Sequence, residues 1–403
     1  MTPDRPDAEA WFEQSTVLRE KFVNTPDVDA RSLMLSSDSH VIEPPYLWRE
    51  RMPTRFAEKA PTVVREGDGD YWYVAGQRSN SFAGGVQPGQ RFVDRDSLRA
   101  AARFEDVRPG GYEPAAHLAE NLEDGIYGSV LYPTVGLLLF GVRDLDLLHA
   151  ICRAYNDWLA EFCRHDSTRL KGVAMIPLDD IQFAVAELER CGRLGLSGAM
   201  ISCAPSSEHR YGSEQDRFWA AAQSMAMPLS LHIATDRDGA DFSEASIVNA
   251  DCGVRRSLVD LICSGVFQRF PGLRIGVVEY ELAWIPFFLE RMDYTFTQRA
   301  ARPGWARERL TELPSDYFRQ NVFVSFQEDA LGIRDRDLIG LNGLMFGSDY
   351  PHTESTFPRS IEILNDVLGE LSSMERALVT WRNCARLYGF DDSRRSITQS
   401  SES

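Results

Sequence analysis

Short apolar runs alternate with longer segments of helical periodicity along most of this chain, and this alternation restricts the fold more than any other feature. The eight runs lie at 33–35, 129–132, 170–176, 198–202, 228–233, 274–278, 322–326 and 344–346. The helical segments lie at 143–165, 180–193, 214–226, 254–269, 283–299 and 358–369. Continuous apolar runs are typical of strands buried on both faces of a parallel sheet. Eight strand–helix units predict an α/β protein, a (β/α)₈ TIM barrel, in preference to an open sheet.

Three further segments surround or interrupt this pattern. Residues 1–30 are predicted to form an N-terminal helical extension, and 31–390 to form the barrel domain. An insertion after strand 1, about 44–115, is rich in glycine, proline and aromatic residues. A loop of this length is more often a functional insertion or lid than plain connection. The serine-rich residues 391–403 are predicted to be a disordered tail.

Composition limits the classes of partner. Sixty acidic residues against 43 basic ones give a net charge of −17, which disfavours nucleic acid and anionic membranes. The N-terminus has no apolar signal region, and no apolar stretch approaches the length that spans a bilayer. Seven cysteines without a C-x-x-C pair indicate reduced thiols. We therefore expect a cytoplasmic protein that acts on a small molecule, and a homodimer is possible through the extension and the aromatic insertion.

Polar side chains that can bind a metal follow several of the predicted strands. Strand 1 ends in Asp38 and His40, which point the same way because residues two apart in a strand share a face. The fifth strand ends in His232. The sixth is followed by Glu279 and Glu281, which are expected on one face, and the eighth by Asp349 and His352. Barrel enzymes place their chemistry at these strand ends. A mixed imidazole and carboxylate set suits one divalent metal, with Zn²⁺ expected first and Mn²⁺ or Fe²⁺ as alternatives.

Several stretches of the chain resemble one enzyme family. They are residues 38–44, 169–174, 231–232, 284–286, 290–293, 347–352 and 383–389. They resemble the amidohydrolase-superfamily group typified by aminocarboxymuconate-semialdehyde decarboxylase and the γ-resorcylate-type decarboxylases, which are TIM barrels. The resemblance implies that Asp38 and His40 form the strand-1 pair of metal ligands. It also implies that His232 is the strand-5 imidazole and Asp349 the strand-8 carboxylate.

One departure from that family affects the expected reaction. The decarboxylases carry a histidine at the end of strand 6, where this chain has Glu279. Either Glu279 takes a place in the site or His352 supplies the imidazole. The additional acid makes the site less favourable for an anionic carboxylate substrate. The sequence therefore favours hydrolysis of a C–N or C–O bond by metal-bound hydroxide, with Asp349 as general base and Glu279 and His352 assisting.

Two other functions stay open at the level of sequence. One is non-oxidative, metal-dependent decarboxylation or C–C bond cleavage of a carboxylated aromatic or enoic acid. The other is a metal-free barrel that acts as a binding protein. Glu43 is either a partner of a metal ligand or an ordinary loop acid. The remaining histidines lie away from strand ends and are interpreted as structural: His117, His149, His165 and His209.

Overall fold

The computed structural model of the chain describes residues 33–207, 209–299 and 302–391. The strands are β1 (Met34–His40), β2 (Thr62–Arg65), β3 (Asp70–Val74), β4 (Gln77–Ser81), β5 (Ile126–Tyr132), β6 (Leu170–Met175), β7 (Gly198–Ile201), β8 (Leu229–His232), β9 (Ile275–Val278), β10 (Val322–Phe326) and β11 (Leu344–Phe346). Eight of them form one parallel sheet in the order β1-β5-β6-β7-β8-β9-β10-β11, curved into a nearly closed barrel. This confirms the predicted (β/α)₈ TIM barrel.

The barrel closes between its first and last strands through hydrogen bonds around the end of β11. The backbone N–H of Asp349 donates to the carbonyl oxygen of Asp38 at 2.8 Å, and the N–H of His40 donates to the carbonyl of Tyr350 at 2.7 Å. Deeper in the barrel, the Ser37 hydroxyl donates to the carbonyl of Phe346 at 2.9 Å. The seam therefore runs directly through the residues that were predicted to carry chemistry.

Helices cover the outside of the barrel, and each predicted helical segment contains at least one. The α-helices are Leu47–Arg51, Ala83–Val86, Gln90–Val93, Pro114–Glu123, Val135–Leu139, Leu145–Cys163, Ile181–Leu194, Asp216–Ser224, Glu244–Val248, Asp251–Cys263, Val266–Arg269, Ile285–Gln298, Pro314–Asn321, Ala330–Arg334, Arg336–Ile339, Ser360–Val367, Ser373–Ala377 and Asn383–Tyr388. Aspartate caps begin two of the longest ones, because the Asp144 and Asp180 carboxylates accept hydrogen bonds from the first-turn amides. Within the described ranges, no helix is long and apolar enough to cross a bilayer.

The segment between β1 and β5 contains a small antiparallel sheet, β2-β3-β4. An aromatic cluster holds it against the barrel: the rings of Trp48 and Trp72 are 5.1 Å apart, and those of Trp72 and Phe82 are 5.7 Å apart. Trp72 and Phe82 also reach the cavity at the C-terminal mouth of the barrel. The extension at 1–30 and nearly all of the tail at 391–403 lie outside the described residues, and the domain boundaries stay a prediction.

Candidate metal centre

Five side chains from four strand ends converge at the C-terminal mouth of the barrel. Asp38 and His40 belong to β1, and His232 is the last residue of β8. Glu279 directly follows β9, and Asp349 lies three residues after β11. His40 Nε2 is 3.4 Å from Asp38 Oδ1 and 3.3 Å from Asp349 Oδ1. His232 Nε2 is 3.5 Å from Asp38 Oδ1 and 3.5 Å from Glu279 Oε2. The structure thus brings together every ligand that the resemblance implied.

The donor atoms of Asp38, His40, His232 and Glu279 all lie within 4.8 Å of one another and fit a single divalent metal ion, and those of His40, Asp349 and His352 form a second, overlapping group. Both carboxylate oxygens of Asp38, Nε2 of His40 and His232, and Oδ1 of Asp349 are buried without a hydrogen-bond partner. Buried polar atoms are rarely left unpaired, since each one carries a desolvation cost. Ligand atoms that share one metal at 2.0–2.2 Å lie roughly 3.0–3.6 Å apart. The separations of 3.3 and 3.5 Å within the cluster match that spacing.

Backbone carbonyls set the orientation of the two imidazoles. His40 Nδ1 lies 2.7 Å from the carbonyl oxygen of Pro133, and His232 Nδ1 lies 3.1 Å from that of Ile233. A carbonyl can only accept, so Nδ1 carries the proton in both rings and the Nε2 lone pairs face the cluster. This is the usual arrangement that holds a metal-ligating histidine in the correct tautomer.

His352 adds a third imidazole next to Asp349. Its ring stacks on that of His40 at 4.0 Å, and its Nδ1 lies 2.8 Å from Asp349 Oδ1. Its Nε2 lies 2.9 Å from the hydroxyl of Thr134, which donates its one proton to the carbonyl of Val41 at 2.8 Å. Nε2 must therefore donate to Thr134, and the Nδ1 lone pair faces Asp349. A proton on the Asp349 carboxyl relieves the contact between these two acceptors.

The pKa shifts within the cluster agree with a proton on the Asp349 carboxyl. Burial, reinforced by the nearby Asp38 charge, raises the pKa of Asp349 to about 7. Burial lowers the pKa of His352 to about 4, so its ring is neutral at physiological pH. Burial and the charges of Asp349 and Asp38 raise the pKa of Glu279 well above its ordinary value. Without a cation, these carboxyl groups cannot all be charged together.

The structure separates the two glutamates that follow β9, and the expectation that they share a face is wrong. Glu279 and Glu281 both adopt left-handed backbone conformations, with φ of 64° and 53°, so the alternation of a strand stops at Val278. Glu279 faces His232, whereas the Glu281 carboxylate accepts hydrogen bonds from the backbone amides of Gln327 and Glu328 at 3.2 Å. Only Glu279 reaches the cluster.

Glu43 is buried, and its carboxylate binds backbone amides. It accepts hydrogen bonds from the amides of Thr134, Val135 and Gly136 at 2.8–3.3 Å, where the helix Val135–Leu139 begins. Burial raises the pKa of Glu43 to about 7 although these amides favour its charged form. The contact fixes the segment that carries Thr134, which in turn holds His352. Glu43 is therefore a partner of the site and not an ordinary loop acid.

The other histidines lie outside the cluster. His117 Nδ1 contacts the carbonyl of Gly110 at 2.8 Å, and the His149 ring stacks on Phe183 at 3.6 Å. His209 Nδ1 lies 2.7 Å from the hydroxyl of Ser206, and His165 is exposed. The sequence did not point to Thr134 or Pro133 as parts of the site. The one available signal was their position directly after β5, at the same end of the barrel as the metal-capable residues.

A cavity of about 330 Å³ opens onto the cluster. Its walls combine aromatic residues of the insertion with aliphatic residues of the barrel loops, among them Trp72, Phe82, Val135, Leu138, Ile233 and Phe242. Its acidic lining residues are Glu43, Glu279, Asp349 and Glu354, and among the described residues no lysine or arginine lines it. The cavity is of a size for a small organic molecule.

The comparisons with known proteins agree with this fold. The family model described as Amidohydrolase matches residues 93–390, which is most of the chain, and the chain therefore belongs to that family. It is an enzyme of the amidohydrolase superfamily, as the sequence motifs indicated. The γ-resorcylate decarboxylase of Polaromonas sp. (strain JS666) is 24% identical to this chain over 281 residues, which cover 61% of this chain and 78% of that protein.

Two solved structures share the fold. An amidohydrolase from Mycobacterium avium subsp. paratuberculosis K-10 superposes with a TM-score of 0.73 at 21% identity, covering 89% of this chain and 99% of the other. A dihydroxybenzoic acid decarboxylase from Polaromonas sp. JS666, solved with bound manganese and the inhibitor 2-nitroresorcinol, superposes with a TM-score of 0.59 at 17% identity, covering 90% and 98%. At these identities the likeness shows the fold alone.

Proposed function

We propose that this protein is a metal-dependent, non-oxidative decarboxylase of a small aromatic acid. The observation that carries the proposal is the cluster of unpartnered donor atoms at the base of an aromatic-walled cavity. Relatives named as decarboxylases support this reaction over the hydrolysis that the sequence alone favoured. Asp38, His40, His232 and Asp349 would hold the metal, for which Mn²⁺ is the first choice because a related structure contains it. Bound there, the metal would orient and polarise the substrate carboxylate.

The reaction requires one proton in exchange for carbon dioxide. The bond between the ring carbon and the carboxylate carbon breaks, CO₂ leaves, and the electron pair remains on the ring carbon until a proton arrives there. Asp349 is the candidate donor because its carboxyl lines the cavity and lies between the imidazoles of His40 and His352. His352 keeps the Asp349 carboxyl in position through its contact at 2.8 Å and is itself fixed by Thr134.

Glu279 takes the position at which the decarboxylases carry histidine. Its carboxyl lies 3.5 Å from His232 Nε2 at the edge of the cavity, so it would be next to a bound substrate. Burial and the nearby charges of Asp349 and Asp38 raise its pKa, which favours the protonated carboxyl, and that form can donate a hydrogen bond to an oxygen of the substrate. In that state it adds no negative charge against an incoming carboxylate.

Hydrolysis is the second candidate, and one observation favours it. No lysine or arginine of the described residues lines the cavity, so beyond the metal this part of the chain offers an anionic substrate no cationic partner. A neutral amide or lactone would meet no such difficulty. In that case Asp349 would act as general base towards the attacking water, as the sequence suggested.

A direct comparison of the two reactions tests the proposal. The full-length protein is loaded with Mn²⁺ and supplied with hydroxybenzoates, including 2,6-dihydroxybenzoate, while CO₂ release is measured. Aryl amides and lactones are supplied in parallel, and ester or amide cleavage is followed. We expect CO₂ release that chelation abolishes and that Asp349→Asn lowers at least about 100-fold. Cleavage of amides or lactones without CO₂ release would replace the proposal with hydrolysis.

A further inference from the structure

The charge distribution of the cavity is one-sided. Four carboxylic acids line it, and the lining includes no cationic side chain. Glu43 is occupied by backbone amides, and Glu279 and Asp349 belong to the cluster. Glu354 is different, because no lysine or arginine of the described residues lies within ion-pair distance of it. Among the described residues, no cationic side chain therefore neutralises its charge.

The position of Glu354 is fixed by its neighbour in the chain. The backbone N–H of Thr353 donates to the carbonyl of Gly84 at 2.8 Å, and the Thr353 hydroxyl bonds the same carbonyl at 3.1 Å. These contacts attach the loop after β11 to the insertion, directly at the rim of the cavity. Glu354 lines the cavity and is exposed to solvent. A substrate held by the metal cluster through its carboxylate would direct its far end towards this rim.

We propose that Glu354 is a specificity-determining residue that admits monocarboxylates and rejects molecules with a second anionic group at the far end. This proposal rests on the proposed function for the orientation of the substrate, with one carboxylate at the cluster. A second carboxylate next to Glu354 would be repelled by its negative charge, and no lysine or arginine among the described lining residues would offset that repulsion. A neutral or cationic far end meets no such penalty, and an ammonium group would gain an ion pair with Glu354.

Binding of unreactive probes to the Mn²⁺-loaded, full-length protein tests this proposal. The probes are benzoate, isophthalate and 3-(aminomethyl)benzoate, with affinities measured by titration calorimetry. For the wild-type protein we expect benzoate to bind at least about tenfold more tightly than isophthalate, since 1.4 kcal/mol of repulsion corresponds to that factor. 3-(Aminomethyl)benzoate should bind at least as tightly as benzoate.

Two variants and a control attribute the effect to one side chain. Glu354→Gln should reduce the preference for benzoate over isophthalate at least threefold, and Glu354→Arg should reverse it. Glu370→Gln changes an exposed glutamate outside the cavity lining and should leave the ratio unchanged. Because residue 354 is exposed, the thermal unfolding midpoint of each variant should stay at the wild-type value.

Several results would overturn the assignment. They are equal affinity of the wild-type protein for benzoate and isophthalate, a preference that both Glu354 variants retain, and no binding of any probe. The binding measurements and the CO₂-release measurement test two different proposals. If the charge selection is found but no hydroxybenzoate releases CO₂, the decarboxylase proposal fails while the role of Glu354 in binding stands.

Discussion

The backbone amide of Asp349 is hydrogen-bonded to the backbone carbonyl of Asp38 at 2.8 Å, across the seam between the first and last strands of the barrel. Two proposed metal ligands are thereby connected through the main chain as well as through the cluster of their side chains. Their relative position depends on closure of the barrel and on the backbone conformation of the segment that follows β11. A metal that binds both carboxylates should stabilise the seam, because it binds the closed form in preference to an open one.

Removal of a proposed ligand should weaken metal binding. His232→Ala deletes an imidazole whose Nε2 faces the cluster, and we expect the affinity for Mn²⁺ to fall by at least about 100-fold. This fall should exceed the one caused by removing a residue that only hydrogen-bonds to a metal ligand. The measurement is a Mn²⁺ titration followed by calorimetry, together with metal content after dialysis. His209→Ala is the matched control, since that histidine is exposed and bonds to Ser206 outside the cluster. Unchanged metal content in His232→Ala would rule out the proposed ligand set.

Metal affinity should depend on pH. In the metal-free protein the pKa of Asp349 is about 7, raised by burial, so below that pH a metal must displace its proton. The apparent affinity for Mn²⁺ should therefore fall by up to about tenfold per pH unit below pH 7 and level off above it. Titrations at pH 6, 7 and 8 test this, and Asp349→Asn should bind weakly with little pH dependence. Equal affinities of the wild-type protein at pH 6 and pH 8 would contradict the prediction.

A methyl group behind Asp38 should disturb the site. In Gly347→Ala the added Cβ would lie 2.5 Å from Asp38 Cβ and 2.5 Å from Ser325 Oγ, so neighbouring side chains would have to shift. We expect a loss of about 1–3 kcal/mol in the free energy of unfolding and weaker Mn²⁺ binding. Gly67→Ala is the control, because no atom lies within 4 Å of the Cβ that it would add. Denaturant unfolding with and without Mn²⁺ measures both effects.

A buried acid far from the metal cluster predicts a pH dependence of stability. Asp124 accepts hydrogen bonds from the amide and hydroxyl of Ser360, and burial raises its pKa to about 7 from 3.8. The native state then holds this proton more tightly than the unfolded state does. The resulting stabilisation is complete below about pH 4 and is lost as the pH rises through 7.

Asp124→Asn should remove that dependence because its side chain stays neutral. Between pH 4 and pH 7 the free energy of unfolding of the wild-type protein should fall, relative to the variant, by up to roughly 1.4 kcal/mol per pH unit. Urea unfolding of both proteins at pH 5, 6, 7 and 8 provides the comparison. A constant difference between the two proteins over this range would contradict the assigned pKa.

The barrel could be predicted from sequence because its strands are largely buried and most of them are rich in apolar residues. The run predicted at 322–326 is observed as Val322–Phe326, and the run at 344–346 as Leu344–Phe346. The convergence of Asp38, His232 and Asp349 followed from a general property of such barrels, since the C-terminal ends of all strands meet at one mouth. No knowledge of individual contacts was needed for either conclusion.

The features that sequence reasoning missed depend on local backbone conformation and on contacts between distant segments. The direction of Glu281 follows from its positive φ, which no period-two pattern contains. The contact of Thr134 with His352 joins residues that are 218 positions apart. The role of Glu43 depends on the amides that open the helix Val135–Leu139, and these can be located only in the folded chain.

Left-handed backbone at Asp349 and Glu279, with φ of 58° and 64°, opposes folding by roughly 1–3 kcal/mol at each position. Glycine would adopt the same conformation without that penalty, but it would also delete the carboxyl group. A screen of random variants for heat resistance alone should therefore enrich replacements at these two positions and yield proteins that are more robust and inactive. Only a screen that also requires turnover would keep the acids, so any thermostabilised form of this enzyme has to gain its stability elsewhere in the barrel.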